Sequence, residues 1–312
     1  MHPILSALLS GWEWRPEVIA VLALFGFLYT TGWWHLYTLH RTKQKHPQKK
    51  LATIGKLVCY LSGLMILATS LLSPIDMLGG QLFFMHMIQH LLTIMVAAPL
   101  IWLAHPFPIS LWGLPRPLRL AVAGLMHKNA LFRRGLAAIT GPGPSWVIFI
   151  VVYLGWHDST LYNLALRRDW VHDIQHITFF GAGMLYWWHV IGAAPRIHGP
   201  FSRWARMAFL IVTVPPNMIA GTTISFATEP IYTYYATIPR FWGFTVMQDQ
   251  MLGGTIMWIL GSMMYIMAAL VILAVYLSNS AKRDESIDIS SHRPTMPISP
   301  SASDVSSSVT VS

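Results

Sequence analysis

The chain carries a single cysteine, Cys59, in 312 residues. One thiol excludes an internal disulfide framework and any metal site made from paired thiolates within the chain. Charge is scarce too: Asp, Glu, Lys and Arg make up 11% of the sequence, against 54% apolar residues. Acidic residues are the rarer sign, 12 against 21 Lys and Arg, which leaves a net charge of +9. These few charges gather in short stretches between apolar runs of about 20 residues, long enough as helices to cross a hydrocarbon core of roughly 30 Å. The composition excludes a soluble domain and gives an all-α, polytopic membrane protein, since lipid tolerates only segments that satisfy their own backbone polar groups.

A bundle of seven transmembrane helices is expected, at about 17–37, 54–73, 82–103, 145–165, 170–191, 207–227 and 250–277. Residues 116–139 are moderately apolar but carry Arg116, Arg119, Lys128, Arg133 and Arg134, so an interfacial helix is expected there. With the N-terminus outside and the C-terminus inside, only Arg15, Arg167, Arg168 and Arg240 of the 21 basic residues stay on the outer side, as the positive-inside rule requires. Glu13, Glu17, Asp76, Asp158, Asp169, Asp173, Glu229 and Asp249 fall on that same side. The positive charge thus reports topology and contact with anionic membrane lipid at 41–50, and gives no reason to expect a nucleic-acid partner. The first apolar run is too long for a signal-peptide core and no small-residue cleavage site follows it, so it is expected to remain as a helix. Residues 1–278 form the transmembrane domain, and the Ser- and Pro-rich stretch 279–312 reads as a disordered cytoplasmic tail. Pro215-Pro216, inside the sixth span, should kink it.

One motif recurs. His86-Met87-Ile88-Gln89-His90 returns 86 residues later as His172-Asp173-Ile174-Gln175-His176, each copy opening an apolar span. Residues four apart on a helix share a face, so each pair can offer two imidazole nitrogens to one ion. Both spans start on the outer side, where His157, ending the fourth span, joins the same layer. A single intramembrane His is as readily a hydrogen-bonded structural residue. Four in two matched pairs point to metal, because imidazoles facing lipid would be costly. Imidazole suits Cu, Zn, Fe and Ni, and thioether from Met85, Met87, Met247 or Met251 would favour Cu(I), although Met also fills gaps between helices. Asp173 and Asp249 are expected to orient the imidazoles or to draw a cation inward, with helix capping the plainer role for both. His35, His40 and His189 lie at inner ends of spans and read as interfacial, with Trp33, Trp34, Trp187 and Trp188.

Three elements taken together are informative: His86-x-x-x-His90 opening one span, Trp156-His157 followed by His172-x-x-x-His176 opening another, and Asp249-Gln250-x-x-Gly253-Gly254-x-x-Met257-Trp258 in the last. Across roughly residues 60–277 the chain resembles the CtaG family of membrane proteins associated with assembly of caa-type cytochrome c oxidases. The resemblance implies a seven-helix, multi-pass protein of the bacterial inner (plasma) membrane, not an enzyme. It would help deliver copper to the oxidase, with the paired His as ligands and with oxidase subunits and a copper donor as partners. Which copper centre is served does not follow. A single-span copper chaperone that shares the family's name uses Cys ligands, and the lone Cys59 excludes that type. From the residues alone two alternatives stay open. One is a membrane zinc-dependent hydrolase using His157-Asp158-Ser159 with the pairs; the other is a haem-binding electron carrier with axial His from two helices.

Overall fold

A computed structural model describes residues 11–42, 51–199, 201–240 and 242–291, the side chains of 40–42 and 283–291 excepted. Most of the basic 41–50 stretch and residues 292–312 of the expected tail lie outside the described residues. The remainder is helical, with no strand among the described residues. In chain order the helices are α1 (Pro16–Thr42), α2 (Ile54–Leu72), the short α3 (Pro74–Gly79), α4 (Phe83–Leu103), α5 (Pro106–Gly113), α6 (Arg116–Leu125), α7 (Leu131–Ile139), α8 (Pro142–Trp156), α9 (Ser159–Arg167), α10 (Asp169–Ile191), α11 (Arg203–Ser225) and α12 (Val246–Lys282). The helical path of α12 continues to Ser291, past the boundary at 278 expected for the tail.

Local chemistry sets the starts. Thr53 caps α2 through Lys56 N–H, Ser202 caps α11 through Ala205 N–H, and Thr245 with Gln248 forms a reciprocal capping box on α12. Five described helices, α1, α2, α4, α11 and α12, are long and apolar enough to cross a membrane, and their exposed apolar residues include Val58, Met65, Ile219 and Met267. α10 has 23 residues, about 34 Å of helix, and is long enough, but His172, Asp173, Gln175 and His176 make its first half polar.

The fourth span differs from expectation. Instead of running 145–165, helix α8 stops at Trp156, and Asp158 starts α9 by accepting the N–H groups of Thr160 and Leu161. An N-cap carboxylate competes with helix continuation, which breaks the segment at His157. α8 alone, 15 residues or about 22 Å, is short for a bilayer. Paired with α7 across a 58° bend it forms a sixth candidate crossing, so of the stretch 116–139, expected to be interfacial throughout, only α6 stays outside the candidate crossings. α11 runs through Pro215-Pro216 as one helix.

Two stretches depart from a plain α-helix. α4 has a π turn over Leu92–Ala97 and α12 one over Ile256–Leu260. α11 and α12 meet at backbone distance: a Cβ on Gly254 would fall 2.6 Å from Ser225 N and 2.8 Å from Gly221 O. The repeat-related Trp102 and Trp188 stack, with ring centroids 5.9 Å apart.

Candidate metal centre

The helix carrying the first His pair is held from elsewhere in the chain. Leu82, at the N-cap of α4, has no side chain able to accept the first N–H groups. Asp249 of α12 supplies the missing acceptor, taking Phe83 N–H and Phe84 N–H at 3.0 Å each. Its charge is matched by Arg240, whose Nη2 donates at 2.9 Å. Asp249 is fully buried. Asp249 bonds to no imidazole: its lone pairs go to the α4 N-terminus and Arg240, and it fixes where α4, and with it the first His pair, starts. Gly253, one turn further on, leaves room for the Phe83 ring.

From that fixed start His86 and His90 point into the bundle and meet His172 and His176. Ring centroids lie 4.4 Å apart within each pair, 5.4 Å from His86 to His172, and 5.8 Å from His90 to His176. His157, in the turn after α8, is 6.4 Å from His90. The five imidazoles singled out by sequence therefore form one cluster. Phe179 stacks flat on His90 at 4.4 Å and fixes that ring.

Sequence reasoning missed Asp76. Its Oδ1 stands 3.8 Å from His176 Nε2, and Asp76, His172 and His176 can present ligand atoms all within 4.8 Å of one another. Ser73 starts α3 by accepting Ile75 N–H, which turns Asp76 inward, and Gln89, lying between the first pair of His, donates to its Oδ1 and to Ser70 O. Burial pushes the Asp76 carboxyl up, with the Gln89 hydrogen bond and the Arg15 charge opposing that shift. The available signal was the Ser-Pro helix start and Gly79-Gly80 stop, which make residues 74–79 a separate helix rather than a loop.

The remaining assignments divide. Met87 is buried beside His90 in a small cavity. Met251 is 52% exposed and does not join the cluster, a correction that follows from Asp249 and Gln250 occupying the inward face of that turn. Asp173 pairs with Arg15 at 2.9 Å instead of with an imidazole. Both line a cleft of about 370 Å³ between α1, α2 and α10 that reaches His176. Asp158 caps α9 by accepting the N–H groups of Thr160 and Leu161. His189 is buried rather than interfacial, its Nε2 lying 2.8 Å from Thr140 O and 3.1 Å from Ser145 Oγ. Trp33, Trp187 and Trp188 are likewise buried, while Trp34 is exposed as a belt residue would be.

The cluster's nitrogens are what set it apart. Both ring nitrogens of His86 and of His90, Nε2 of His157 and Nδ1 of His176 are buried without a hydrogen-bond partner in acceptable geometry. His157 Nδ1 lies 2.6 Å from Tyr153 O, so it carries the proton and Nε2 carries the lone pair. A neutral imidazole has one N–H and one lone pair, so His86, His90 and His157 each carry one lone pair without a donor. Converging lone pairs are relieved by an electron-pair acceptor, and a cation of the imidazole-binding class fits this donor set.

Among relatives, one protein of Mycobacterium bovis and one of Mycobacterium tuberculosis are each 24% identical over 296 residues, covering 91% of this chain and 42% of theirs. A protein of Mycobacterium leprae is 24% identical over 271 residues, 82% of this chain and 38% of its own length. All three are described as uncharacterised, and this chain spans less than half their length. No solved structure matches. The family model for cytochrome c oxidase caa3 assembly factors (Caa3_CtaG) matches residues 27–278, most of the chain, and the protein belongs to that family.

Proposed function

We propose that this protein crosses the bacterial inner membrane seven times, N-terminus outside, and delivers copper to a cytochrome c oxidase from a site near the outer face. The crossings are α1, α2, α4, the bent α7–α8 pair, α10, α11 and α12. The N-termini of α4 and α10 then lie at one level, which is the level of the His cluster. One observation carries the reading: five imidazoles from α4, α10 and the turn after α8 converge, and four of them, His86, His90, His157 and His176, have partnerless nitrogens. Membership in an oxidase assembly family supplies the recipient.

The chain acts as a carrier and not a catalyst. His86, His90, His172 and His176 would bind the ion, with His157 and Asp76 at the edge of the site. Gln89 positions Asp76, and Asp249 positions the whole α4 pair. A cleft reaching His176 gives the ion a way in and out, which a carrier needs and a structural metal site does not. Copper analysis of the detergent-purified chain tests this. Wild type should hold nitrogen-bound copper and His90→Ala/His176→Ala should lose it; nitrogen-bound copper undiminished in that variant, or zinc bound in its place with hydrolytic activity, refutes the reading.

A further inference from the structure

Against the His cluster, along α4 from Met87 to Met95, lies a cavity of about 30 Å³. Its wall combines the side chains of Met87, Met95 and Met257 with His90, His157 and Asn217, and aromatic and aliphatic side chains close the rest. All three methionines are buried, and they come from two helices distant in sequence. Methionine has three rotatable bonds and ordinarily collapses into gaps, so three of them around an open volume the size of a water molecule is not the usual packing outcome. Two of the three, Met95 and Met257, sit on the π turns of α4 and α12. A π turn adds a residue to the helical repeat and re-aims the side chains it carries, and such turns concentrate at functional sites.

The wall also has donors with nothing to bind. His90 is buried with both nitrogens partnerless, and His157 Nε2 is partnerless too. Asn217 is not such a donor, because it accepts from Tyr153 Oη and donates to Met257 O and Ser262 Oγ. Its amide holds the floor of the cavity in place. Thioether and imidazole together form a soft, neutral donor set, which selects a monovalent d10 ion over Zn²⁺ or any hard cation.

We infer that this cavity is a second metal site, specific for Cu(I), bound by Met87, Met95 and Met257 with His90 or His157. It rests on the copper reading of the His cluster and adds to it a deeper position sharing the imidazoles at its boundary. Met95 lies five residues beyond His90 on α4, about 7 Å along the helix, so an ion can pass between the two sites by exchanging ligands one at a time. No change of oxidation state is involved.

The test is X-ray absorption at the copper edge on the full chain in detergent, loaded anaerobically with Cu(I). Wild type should show sulfur as well as nitrogen neighbours. Met87→Leu/Met95→Leu/Met257→Leu, a swap that conserves volume and costs little in a core, should lose the sulfur shell and about one Cu(I) per chain while keeping nitrogen-bound copper. A wild-type spectrum with nitrogen and oxygen neighbours alone overturns the second site and leaves the His cluster standing, and this result needs no variant to fold. Unchanged sulfur scattering in the triple variant also overturns it. Absence of copper from wild type removes both sites together.

Discussion

The Nε2 atoms of His172 and His176 stand 3.1 Å apart, with Asp76 Oδ1 3.8 Å from the second of them. Two bare lone pairs cannot share that distance without a proton or a cation between them. Asp76 is the carboxylate placed to answer to a charge on His176. Asp76→Ala is expected to weaken copper binding by about 10–100-fold, the usual penalty for losing a group that orients metal ligands. Asp173→Ala removes a half-exposed ion pair and should change neither copper affinity nor stability by more than about 1 kcal/mol. Competition against a Cu(I) chelator compares the two variants; equal losses would mean Asp76 has no special place at the site.

Asp249 ties α12 to the start of α4. Asp249→Ala strands two α4 N–H groups and leaves the Arg240 charge, still donating to the carbonyls of Tyr235, Phe244 and Thr245, without its carboxylate, and should cost about 3 kcal/mol or more. Arg240→Ala leaves Asp249 with two N–H donors and should cost less. Thermal unfolding in detergent gives the order of the two; a larger loss for Arg240→Ala would show that the ion pair, not the cap, matters most.

His189 separates structural from ligating histidine. It is satisfied by Thr140 O and Ser145 Oγ, so His189→Gln should lower stability by about 1–3 kcal/mol while copper per chain stays at the wild-type value. A loss of copper in a folded His189→Gln protein would contradict this division.

A methyl group at Gly254 would press on the backbone of α11 at Ser225 and Gly221, where no side chain can move aside. Gly254→Ala is expected to destabilise by several kcal/mol, in the range of overpacked cores. Gly55→Ala, with nothing within 4 Å of the added carbon, should be neutral or stabilising by up to about 1 kcal/mol through helix propensity. The melting temperatures of the two variants check the contrast.

The membrane class and the convergence of five histidines were legible because both depend on simple regularities: apolar run length, and a four-residue spacing repeated in two spans. The roles of the carboxylates were not. Asp249, Asp173, Asp158 and Asp76 all read as acidic residues of one side, yet one caps a distant helix, one pairs with Arg15, one breaks the fourth span, and only Asp76 reaches the imidazoles. What decides among those fates is the partner each carboxylate finds in space, which sequence separation hides: Phe83 and Asp249 are 166 residues apart. The methionines were obscured for a related reason. Met251 was offered by its nearness to Asp249, whereas Met95 and Met257 come inward through π turns that shift the helical phase.

The cap on α4 also dictates a sequence of events during synthesis. A ribosome that has released residues 1–245 has made all five histidines, yet the acceptor for Phe83 and Phe84 is still inside it. Until residue 249 emerges and its helix joins the others, the segment bearing His86 and His90 has a loose beginning. The first His pair therefore cannot be set in place until the final helix has been made.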